Sequence, residues 1–527
     1  MMLLLNWLLR GAFVLAGAAA AVWLVRWLVA ASRRAPERWP VRIALGMLFL
    51  ATIYGAGHAR LLTARQKLEA ARMEYARYGD PRLTEQRRAE TLGWILDCSG
   101  RDSSALADYR EIDGEVRRDY PLGQGGANLI GGGTDTIARD YTVERLFIDH
   151  LRRPRGLVEA GELHPAGTDL HLTLCRKPTA AAWRLLKQSD RPGAVVVEDV
   201  NTGAIVAYAA TGGPGDAPYG IKRYEAPGSV FKLALVSLWY ENGLPEDIPI
   251  PCPSRIQVTP RASVGNYHDE DLGIVNGPVG MLVPSCNTAA IWMALYMRDK
   301  LGAQAFVDAY RRYGFHPYAG AKDAPAGDDE DFWATRNPEW TDRMSPPPDR
   351  VRISPKTGRA EWAQIAIGQG PVDVTVVGIS RFIQAIGNGG VALRPTIEAA
   401  VAGSRASDAD GGGTRIMSEA TARKVLAAMR LVVQHGTAAS AGRLLDDSEW
   451  SMAGKTGTPE IPGERDSGWF AGLALDAQGR PRYTVVVYLR GGGPGGSKPA
   501  TIAAQMVRVL AGHSADVSLP DVGEGGD

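Results

Sequence analysis

The sequence predicts a mixed α+β or α/β fold in which an antiparallel sheet is flanked by helices. Residues 468–475 and 483–489 are apolar runs separated by a polar turn, a pattern typical of consecutive antiparallel strands. Apolar runs of helical length occupy residues 231–238, 288–295 and 500–510. The chain has 527 residues, enough for one large domain and a smaller one.

The first 62 residues are expected to form a membrane anchor with two transmembrane helices, at about 3–25 and 43–62. Arginines occupy the loop between the two spans, so the positive-inside rule makes this loop cytoplasmic and places everything after Leu62 on the far side. Because these arginines follow the first apolar run and no cleavage site appears, a signal peptide is disfavoured. A first segment lying in the membrane interface is the alternative.

Ser229 and Lys232 form the only Ser-x-x-Lys pattern of the chain. A turn precedes Ser229 and the helical run 231–238 follows it, so both side chains are predicted to share one face of a helix start. Lys232 can take the serine proton only if its pKa falls from about 10.4 towards neutrality, which burial and a second cation such as Lys455 would favour. A capping serine beside a solvated lysine is the simpler alternative.

A second motif, Ser285-Cys286-Asn287, directly precedes the helical run 288–295. A loop at a helix start can aim a hydroxyl and an amide into a cleft, where the hydroxyl can pass a proton and the amide can hold a peptide group. A plain helix-capping serine is again the alternative.

The tripeptide Lys-Thr-Gly occurs twice. Lys455-Thr456-Gly457-Thr458 precedes the two predicted strands and is expected to lie on a strand of its own, where the glycine would let a substrate backbone come close. Lys356-Thr357-Gly358 is surrounded by proline and charged residues, which predicts a turn. The copy at 455 is therefore the catalytic candidate.

In this order the three motifs resemble those of the penicillin-binding protein transpeptidases, over roughly residues 90–510. Further segments similar to the family are residues 193–207, Ile367-Gly368-Gln369-Gly370 with Thr375, and His435-Gly436-Thr437-Ala438. Residues 93–97 and 118–122 resemble pedestal motifs of the monofunctional class B branch. The resemblance implies a serine β-lactamase-like transpeptidase domain with a small pedestal and a membrane anchor.

The resemblance also implies the catalytic roles. Ser229 would attack the carbonyl between the two terminal D-alanines of a peptidoglycan stem peptide, and Lys232 would take its proton. Ser285, helped by Lys455, would relay a proton to the departing D-alanine. An amine of a neighbouring stem peptide would then resolve the acyl-enzyme as a cross-link, and β-lactams would acylate Ser229.

The remaining motif residues are expected to bind substrate. Asn287 would bind the stem peptide, and Thr456, Gly457 and Thr458 would align it along the strand and hold its terminal carboxylate. The backbone N–H groups of Ser229 and Thr458 would form the oxyanion hole, in which one donor is typically worth about 3 kcal/mol. No metal or organic cofactor is implied.

The same resemblance sets the expected surroundings. The catalytic domain would lie on the periplasmic or extracellular side of the cytoplasmic (inner) membrane. The expected partner is a polytopic membrane glycosyltransferase of the shape, elongation, division and sporulation family. A net charge of +1 gives no support for nucleic-acid binding. The alternatives are a D,D-carboxypeptidase, a serine β-lactamase, and a membrane β-lactam sensor or inactive wall-synthesis scaffold.

The predicted domains are an anchor over residues 1–62, a stalk and pedestal over 63–165, the transpeptidase domain over 166–512 and a disordered tail over 513–527. Residues 318–356, rich in Pro, Asp and Gly, are predicted to form a long inserted loop.

Two of the chain's 4 cysteines, Cys252 and Cys286, fall within the predicted catalytic domain. In an oxidising periplasm these two are expected to form a disulfide that ties the preceding loop to the second motif. A free, buried Cys286 is the alternative.

Overall fold

The structure is a computed structural model that describes residues 92–513 except 113–114, 128, 132–141, 153–166, 212–218, 320–348, 400–412 and 462, together with a few positions between 23 and 47. The predicted spans, stalk and tail thus lie largely outside the described residues. In the described part of the chain, no helix is both long enough and apolar enough to cross a membrane. All described residues from Leu92 to His513 belong to one compact unit.

A five-stranded antiparallel sheet forms the centre of this unit, which confirms the predicted fold class. Its strands are β1 (Gly193–Glu198), β2 (Ile205–Ala210), β3 (Ser451–Gly457), β4 (Gly468–Leu475) and β5 (Pro481–Leu489). The order across the sheet is β3-β4-β5-β1-β2, so the early hairpin β1–β2 joins the late strands through pairs such as Val195 with Val487. Every residue of β4 is buried, as expected for a central strand covered on both faces.

Six helices that pack against the central sheet or begin at the motifs are α1 (Arg176–Gln188), α2 (Lys232–Glu241), α3 (Asn287–Leu301), α4 (Val376–Gly387), α5 (Glu419–His435) and α6 (Lys498–Leu510). Helices α1 and α6 pack together on the sheet, and α4 and α5 form a second pair. Strand β4 shows that the pairs lie on opposite faces: Gly468 backs onto Pro499 of α6, whereas Leu473 approaches Gly387 of α4. Side chains an odd number of residues apart on a strand point to opposite faces.

Shorter elements surround this core. The remaining strands are Ile95–Leu96, Asp108–Ile112, Glu115–Asp119, Leu170–His171, Pro249–Cys252, Arg255–Thr259, Ala262–Gly265, Gly273–Asn276, His316–Tyr318, Arg350–Arg352, Val372–Asp373, Val391–Ala392 and Thr414–Arg415. The remaining helices and single helical turns are Asp102–Ser104, Gln124–Ala127, Val143–Leu146, Ile148–Leu151, Tyr219–Lys222, Gly228–Phe231, Tyr267–Asp269, Gly277–Leu282, Ala303–Tyr313, Arg359–Ala366, Ala439–Gly442 and Arg443–Leu445.

The predicted pedestal segments contact each other. The Arg118 guanidinium donates to the Gly93 carbonyl at 3.1 Å and forms a buried ion pair with Glu144 at 2.6 Å. Strand Ile95–Leu96 pairs in parallel with Leu170–His171, so the part before residue 166 is hydrogen-bonded to the part after it.

A disulfide between Cys98 and Cys175 joins the same two parts. The sequence did not predict this bridge, because nothing in the spacing of 77 residues brings the two cysteines together.

Both ends of the predicted insert enter a small sheet. Strand Arg350–Arg352 lies between His316–Tyr318, its parallel partner, and Val372–Asp373, its antiparallel partner. The expectation of a loop over all of 318–356 is therefore wrong at its ends, because backbone pairing satisfies these amide groups. Residues 320–348 lie outside the described residues.

Candidate active site

Ser229 lies in a tight turn that opens helix α2, as predicted. The turn Gly228–Phe231 is a short 3-10 helix that continues directly into α2. Gly228 has a φ of +52°, a conformation that favours glycine, and its N–H donates to the Gly368 carbonyl at 2.9 Å. The Gly-Gln-Gly segment therefore supports the nucleophile's turn from behind.

Two other glycines let the backbone pack closely around this turn. A Cβ on Gly368 would lie 2.0 Å from the Gly228 carbonyl oxygen, and one on Gly457 would lie 2.6 Å from the Pro227 carbonyl oxygen. A second reason for glycine at position 457 thus joins the expected close approach of a substrate backbone, which stays a prediction. Gly457 makes room for the turn that carries Ser229, and Gly457 contributes to the site by positioning it.

Lys232 is completely buried beneath the second motif. Its Nζ donates to the Ser285 carbonyl at 2.7 Å and to Asn287 Oδ1 at 2.7 Å, and it lies 3.3 Å from Ser285 Oγ. Burial, and then the charge of Lys455, hold the pKa of Lys232 well below its ordinary value. The amine predicted to act as base is therefore in surroundings that favour its neutral form.

Ser285 lies between the two lysines. The Nζ of Lys455, on strand β3, is 2.8 Å from Ser285 Oγ, and burial lowers the pKa of Lys455 to about 7. Because each charge opposes the other, one amine of the pair is neutral at a pH where the other is still charged. We assign the neutral amine to Lys232, whose pKa the charge of Lys455 depresses further.

This arrangement can move a proton. A neutral lysine amine has two N–H donors and one lone pair. The carbonyl of Ser285 and Oδ1 of Asn287 occupy both donors of Lys232, which leaves its lone pair for a hydroxyl. Ser285 Oγ is the hydroxyl in place here. Ser229 is one helical turn from Lys232, and catalytic hydrogen bonds often tighten only when substrate is bound.

Asn287 is already committed on both sides of its amide. Its Oδ1 accepts from Lys232, and its Nδ2 donates to the Gly265 carbonyl at 3.0 Å. One N–H of Nδ2 is left for a substrate carbonyl, so the predicted substrate role is compatible with a second role in placing Lys232.

The end of strand β3 carries the binding groups. Thr456 Oγ1 lies 2.6 Å from Thr437 Oγ1, and Thr458 Oγ1 accepts from the Gly495 N–H at 3.3 Å. In the described part of the chain, neither the Ser229 N–H nor the Thr458 N–H donates a hydrogen bond. Both predicted oxyanion donors are thus available to an incoming carbonyl. No role was predicted for Thr437, although its family-like segment was a signal.

The second motif is also tied by a covalent bond. Cys286, between Ser285 and Asn287, forms a disulfide with Cys252 at the end of strand Pro249–Cys252. The other copy of Lys-Thr-Gly is part of a turn before helix Arg359–Ala366, where the Thr357 hydroxyl accepts from the Ser354 N–H at 2.8 Å. The structure therefore brings Lys232 and Lys455 within hydrogen-bond distance of Ser285, places the Ser229 turn beside Thr458, and leaves the copy at 356 outside the site.

Comparison with known proteins identifies the family. Residues 193–508 match the penicillin binding protein transpeptidase domain. The chain belongs to this family, and its enzymatic class is that of the serine-type D,D-transpeptidases. No curated protein sequence matches the chain.

Several solved structures share the fold. One is the D,D-transpeptidase domain of a peptidoglycan glycosyltransferase from Eggerthella lenta, with 22% identity, coverage of 80% of this chain and 99% of that one, and a TM-score of 0.62. A second is penicillin-binding protein A from Mycobacterium tuberculosis as an imipenem acyl-enzyme, with 19% identity, coverage of 81% and 99%, and a TM-score of 0.63. A third is Pseudomonas aeruginosa PBP2 in complex with WCK 5153, with 20% identity, coverage of 80% and 95%, and a TM-score of 0.61.

Proposed function

We propose that this protein cross-links peptidoglycan stem peptides as a class B D,D-transpeptidase outside the cytoplasmic membrane, with Ser229 as the nucleophile. The observation that carries the proposal is the convergence of two buried lysine amines on Ser285 Oγ, at 2.8 Å from Lys455 and 3.3 Å from Lys232. Burying two amines around one hydroxyl is costly for stability, and acyl transfer gives this arrangement a chemical use.

Acylation begins with neutral Lys232. Its lone pair takes the Ser229 proton while Ser229 Oγ attacks the carbonyl between the two terminal D-alanines. The N–H groups of Ser229 and Thr458 stabilise the resulting oxyanion, because neither is engaged with described residues.

Collapse of the tetrahedral intermediate breaks the peptide bond. The departing D-alanine amine takes a proton from Ser285, which is replenished by the protonated Lys232, and the positive charge of Lys455 holds Ser285 Oγ in place. The acyl ester on Ser229 is then attacked by the amine of a second stem peptide, with Lys232 again accepting and returning the proton. The products are a cross-linked peptide and free Ser229.

β-Lactams are the expected inhibitors, because they present an amide carbonyl beside a carboxylate, as the D-alanyl-D-alanine terminus does. The M. tuberculosis relative forms an acyl-enzyme with imipenem, which supports this expectation for Ser229. The hydroxyls of Thr456 and Thr458, at the end of β3, would hold the carboxylate.

The membrane setting follows from the sequence. The two apolar spans with arginines between them support an anchored protein with its catalytic domain in the periplasm or outside the cell. Because the described fold is a transpeptidase domain, glycan polymerisation would come from a separate, polytopic glycosyltransferase.

Labelling with a fluorescent penicillin tests the nucleophile. We expect the full-length wild type to label covalently and Ser229→Ala to lose all labelling. Ser237→Ala is the matched control, since Ser237 is a buried serine on the same helix that only donates to the Leu233 carbonyl at 2.8 Å. A wild type that does not label contradicts the proposal, and a labelled Ser229→Ala variant means that another residue is the nucleophile.

Product analysis tests the reaction. With stem peptides ending in D-alanyl-D-alanine plus an acceptor amine, we expect a cross-linked dimer. Release of D-alanine without any dimer would indicate a carboxypeptidase. Turnover of the penicillin faster than the peptide would indicate a β-lactamase, and labelling without peptide turnover would indicate a sensor or scaffold.

A further inference from the structure

The second motif contains a strained residue. Ser285 has a φ of +65°, in the left-handed region that residues other than glycine rarely adopt. Such a conformation is energetically unfavourable and persists only where the surrounding structure imposes it. Because Ser285 Oγ must lie between Lys232 and Lys455, the groups that impose this conformation matter to catalysis.

Asn266 contacts the backbone two and three residues after this strained residue. Its Oδ1 accepts from the N–H of Asn287 at 2.9 Å and from the N–H of Thr288 at 3.1 Å. These two N–H groups belong to the first turn of helix α3, where the helix itself supplies no acceptors. Asn266 thus caps α3 from a position 21 residues earlier in the chain.

The other side of the Asn266 amide is anchored equally well. Nδ2 donates to the Pro253 carbonyl at 3.0 Å and to the Glu270 carbonyl at 2.8 Å. An asparagine amide has two donors and two acceptor sites, so all four are used. The side chain is 9% exposed, and neither of its ends is free to bind substrate.

The residue before Asn266 completes the contact with the motif. The Gly265 carbonyl accepts from Asn287 Nδ2 at 3.0 Å, which turns Asn287 Oδ1 towards Lys232 at 2.7 Å. Asn266 therefore fixes the backbone of Asn287, and Gly265 fixes its side chain. Through Asn287 they hold the two acceptors of Lys232, namely Asn287 Oδ1 and the carbonyl of the neighbouring Ser285.

From these contacts we infer that Asn266 is a positioning residue for the proton transfers of Lys232, acting through Asn287 and the Ser285 turn without touching the substrate. The inference rests on the proposed acyl-transfer function. It is distinct from the effect of the Cys252–Cys286 disulfide, because Asn266 accepts from the N–H groups of Asn287 and Thr288, whereas Cys286 Sγ accepts from the next N–H group, that of Ala289, at 3.2 Å.

The test compares Asn266→Ala with Asn266→Asp in the full-length protein. Aspartate keeps an acceptor for both N–H groups and suits a helix N-terminus, whereas alanine removes it. Acylation by a fluorescent penicillin is measured over a range of concentrations, which separates the maximal acylation rate from the concentration giving half of it. Thermal unfolding of each variant is measured in parallel.

We expect Asn266→Ala to lower the maximal acylation rate by at least about 30-fold with little change in the half-saturating concentration, because misplaced groups slow chemistry more than binding. Asn266→Asp retains the acceptor but turns a carboxylate oxygen, in place of Nδ2, towards the Pro253 and Glu270 carbonyls, so its maximal rate should fall less than that of Asn266→Ala, by about three- to tenfold. The control is Asn388→Ala, which removes a bond of Asn388 Nδ2 to the Val391 carbonyl of 3.0 Å outside the three motifs. It should lower stability without slowing acylation.

Wild-type acylation by a folded Asn266→Ala variant would overturn the inference. So would an equal loss in Asn266→Ala and Asn388→Ala, which would indicate a purely structural effect. If Asn266→Ala does not fold, the Asp variant decides: a folded Asn266→Asp with the wild-type maximal rate contradicts a positioning role, because its carboxylate opposes the two carbonyls that anchor the amide. A wild type that does not acylate at all counts against the proposed function instead.

Discussion

Ser229 and Ser285 belong to the same site, yet the backbone around each hydroxyl is held differently. The Ser229 turn is pressed between Gly368 and Gly457, at positions where a Cβ would come within 2.6 Å of a carbonyl oxygen. The Ser285 turn lies outside the central sheet and is held by individual side chains, namely the Cys252–Cys286 disulfide and the Asn266 amide.

The two modes respond differently to mutation. Close backbone packing around the Ser229 turn leaves no room for even one methyl group. A small change there therefore displaces the nucleophile. The disulfide and the Asn266 amide hold the Ser285 turn independently, so the loss of one leaves the other. We therefore expect changes around the Ser229 turn to have larger effects on acylation than changes around the Ser285 turn.

The sharpest test of this comparison uses the two copies of Lys-Thr-Gly. Gly457→Ala should slow acylation by at least about 100-fold and cost about 1–3 kcal/mol of unfolding free energy, because its Cβ would meet the Pro227 carbonyl. The matched control is Gly358→Ala, where a Cβ meets nothing within 4 Å and φ is −73°. Penicillin acylation rates and urea unfolding check both. Equal effects at the two glycines would break the comparison.

The two disulfides provide a test of how the Ser285 turn is held. Replacing Cys252 and Cys286 by serine should slow acylation by roughly tenfold, because Asn266 still holds Asn287. Replacing Cys98 and Cys175 should leave acylation unchanged, since that bridge joins the pedestal to the start of α1. Both double variants should lose roughly 2–4 kcal/mol of unfolding free energy.

Acylation rates and thermal unfolding of the two double variants decide the matter. Loss of acylation from the Cys98/Cys175 variant would show that general stability controls the rate. No change in the Cys252/Cys286 variant would mean that the disulfide does not hold Ser285.

The smallest effect on acylation is expected from the sheet beneath the site. Burial raises the pKa of Glu198 on β1 to about 8, although the Ser380 hydroxyl donates to its carboxyl at 2.7 Å and opposes this shift. A carboxyl whose folded pKa exceeds its unfolded pKa stabilises the fold at low pH. The contribution of Glu198 to the free energy of unfolding should therefore fall between about pH 5 and 8, by up to roughly 1.4 kcal/mol per pH unit.

Glu198→Gln should remove this pH dependence and leave the acylation rate unchanged. The exposed Glu419→Gln serves as control and should retain the wild-type slope. Urea unfolding between pH 5.5 and 8.5 measures the slope of each variant, and equal slopes for the wild type and Glu198→Gln would contradict the raised pKa.

Local patterns carried much of the prediction. Apolar periodicity and turn residues were enough to predict three features. These are the strand at 468–475, the helix starts at Ser229 and Asn287, and the choice between the two Lys-Thr-Gly copies. The final helix begins at Lys498 rather than Ala500, and β5 begins at Pro481 rather than Tyr483, which are ordinary differences at element ends.

The remaining features depend on contacts between distant segments. Asn266 lies in a polar loop with no pattern that marks a helix cap, because the helix it caps begins 21 residues later. Thr437 meets Thr456 only because α5 and β3 pack together. Cys98 pairs with Cys175 across 77 residues for the same kind of reason.

Linear patterns were sufficient to predict the chemistry of this protein: a serine with a lysine one turn away, a second hydroxyl and amide, a second lysine on a strand, and the family to which they belong. These are local patterns, and local geometry places such residues on one face or one strand. Tertiary structure decided what each group does. It made one amine neutral by burying it beside another, gave Gly457 to the nucleophile's turn, and recruited Asn266 to hold the strained Ser285 in place, because burial and charge depend on neighbours that the linear chain does not order.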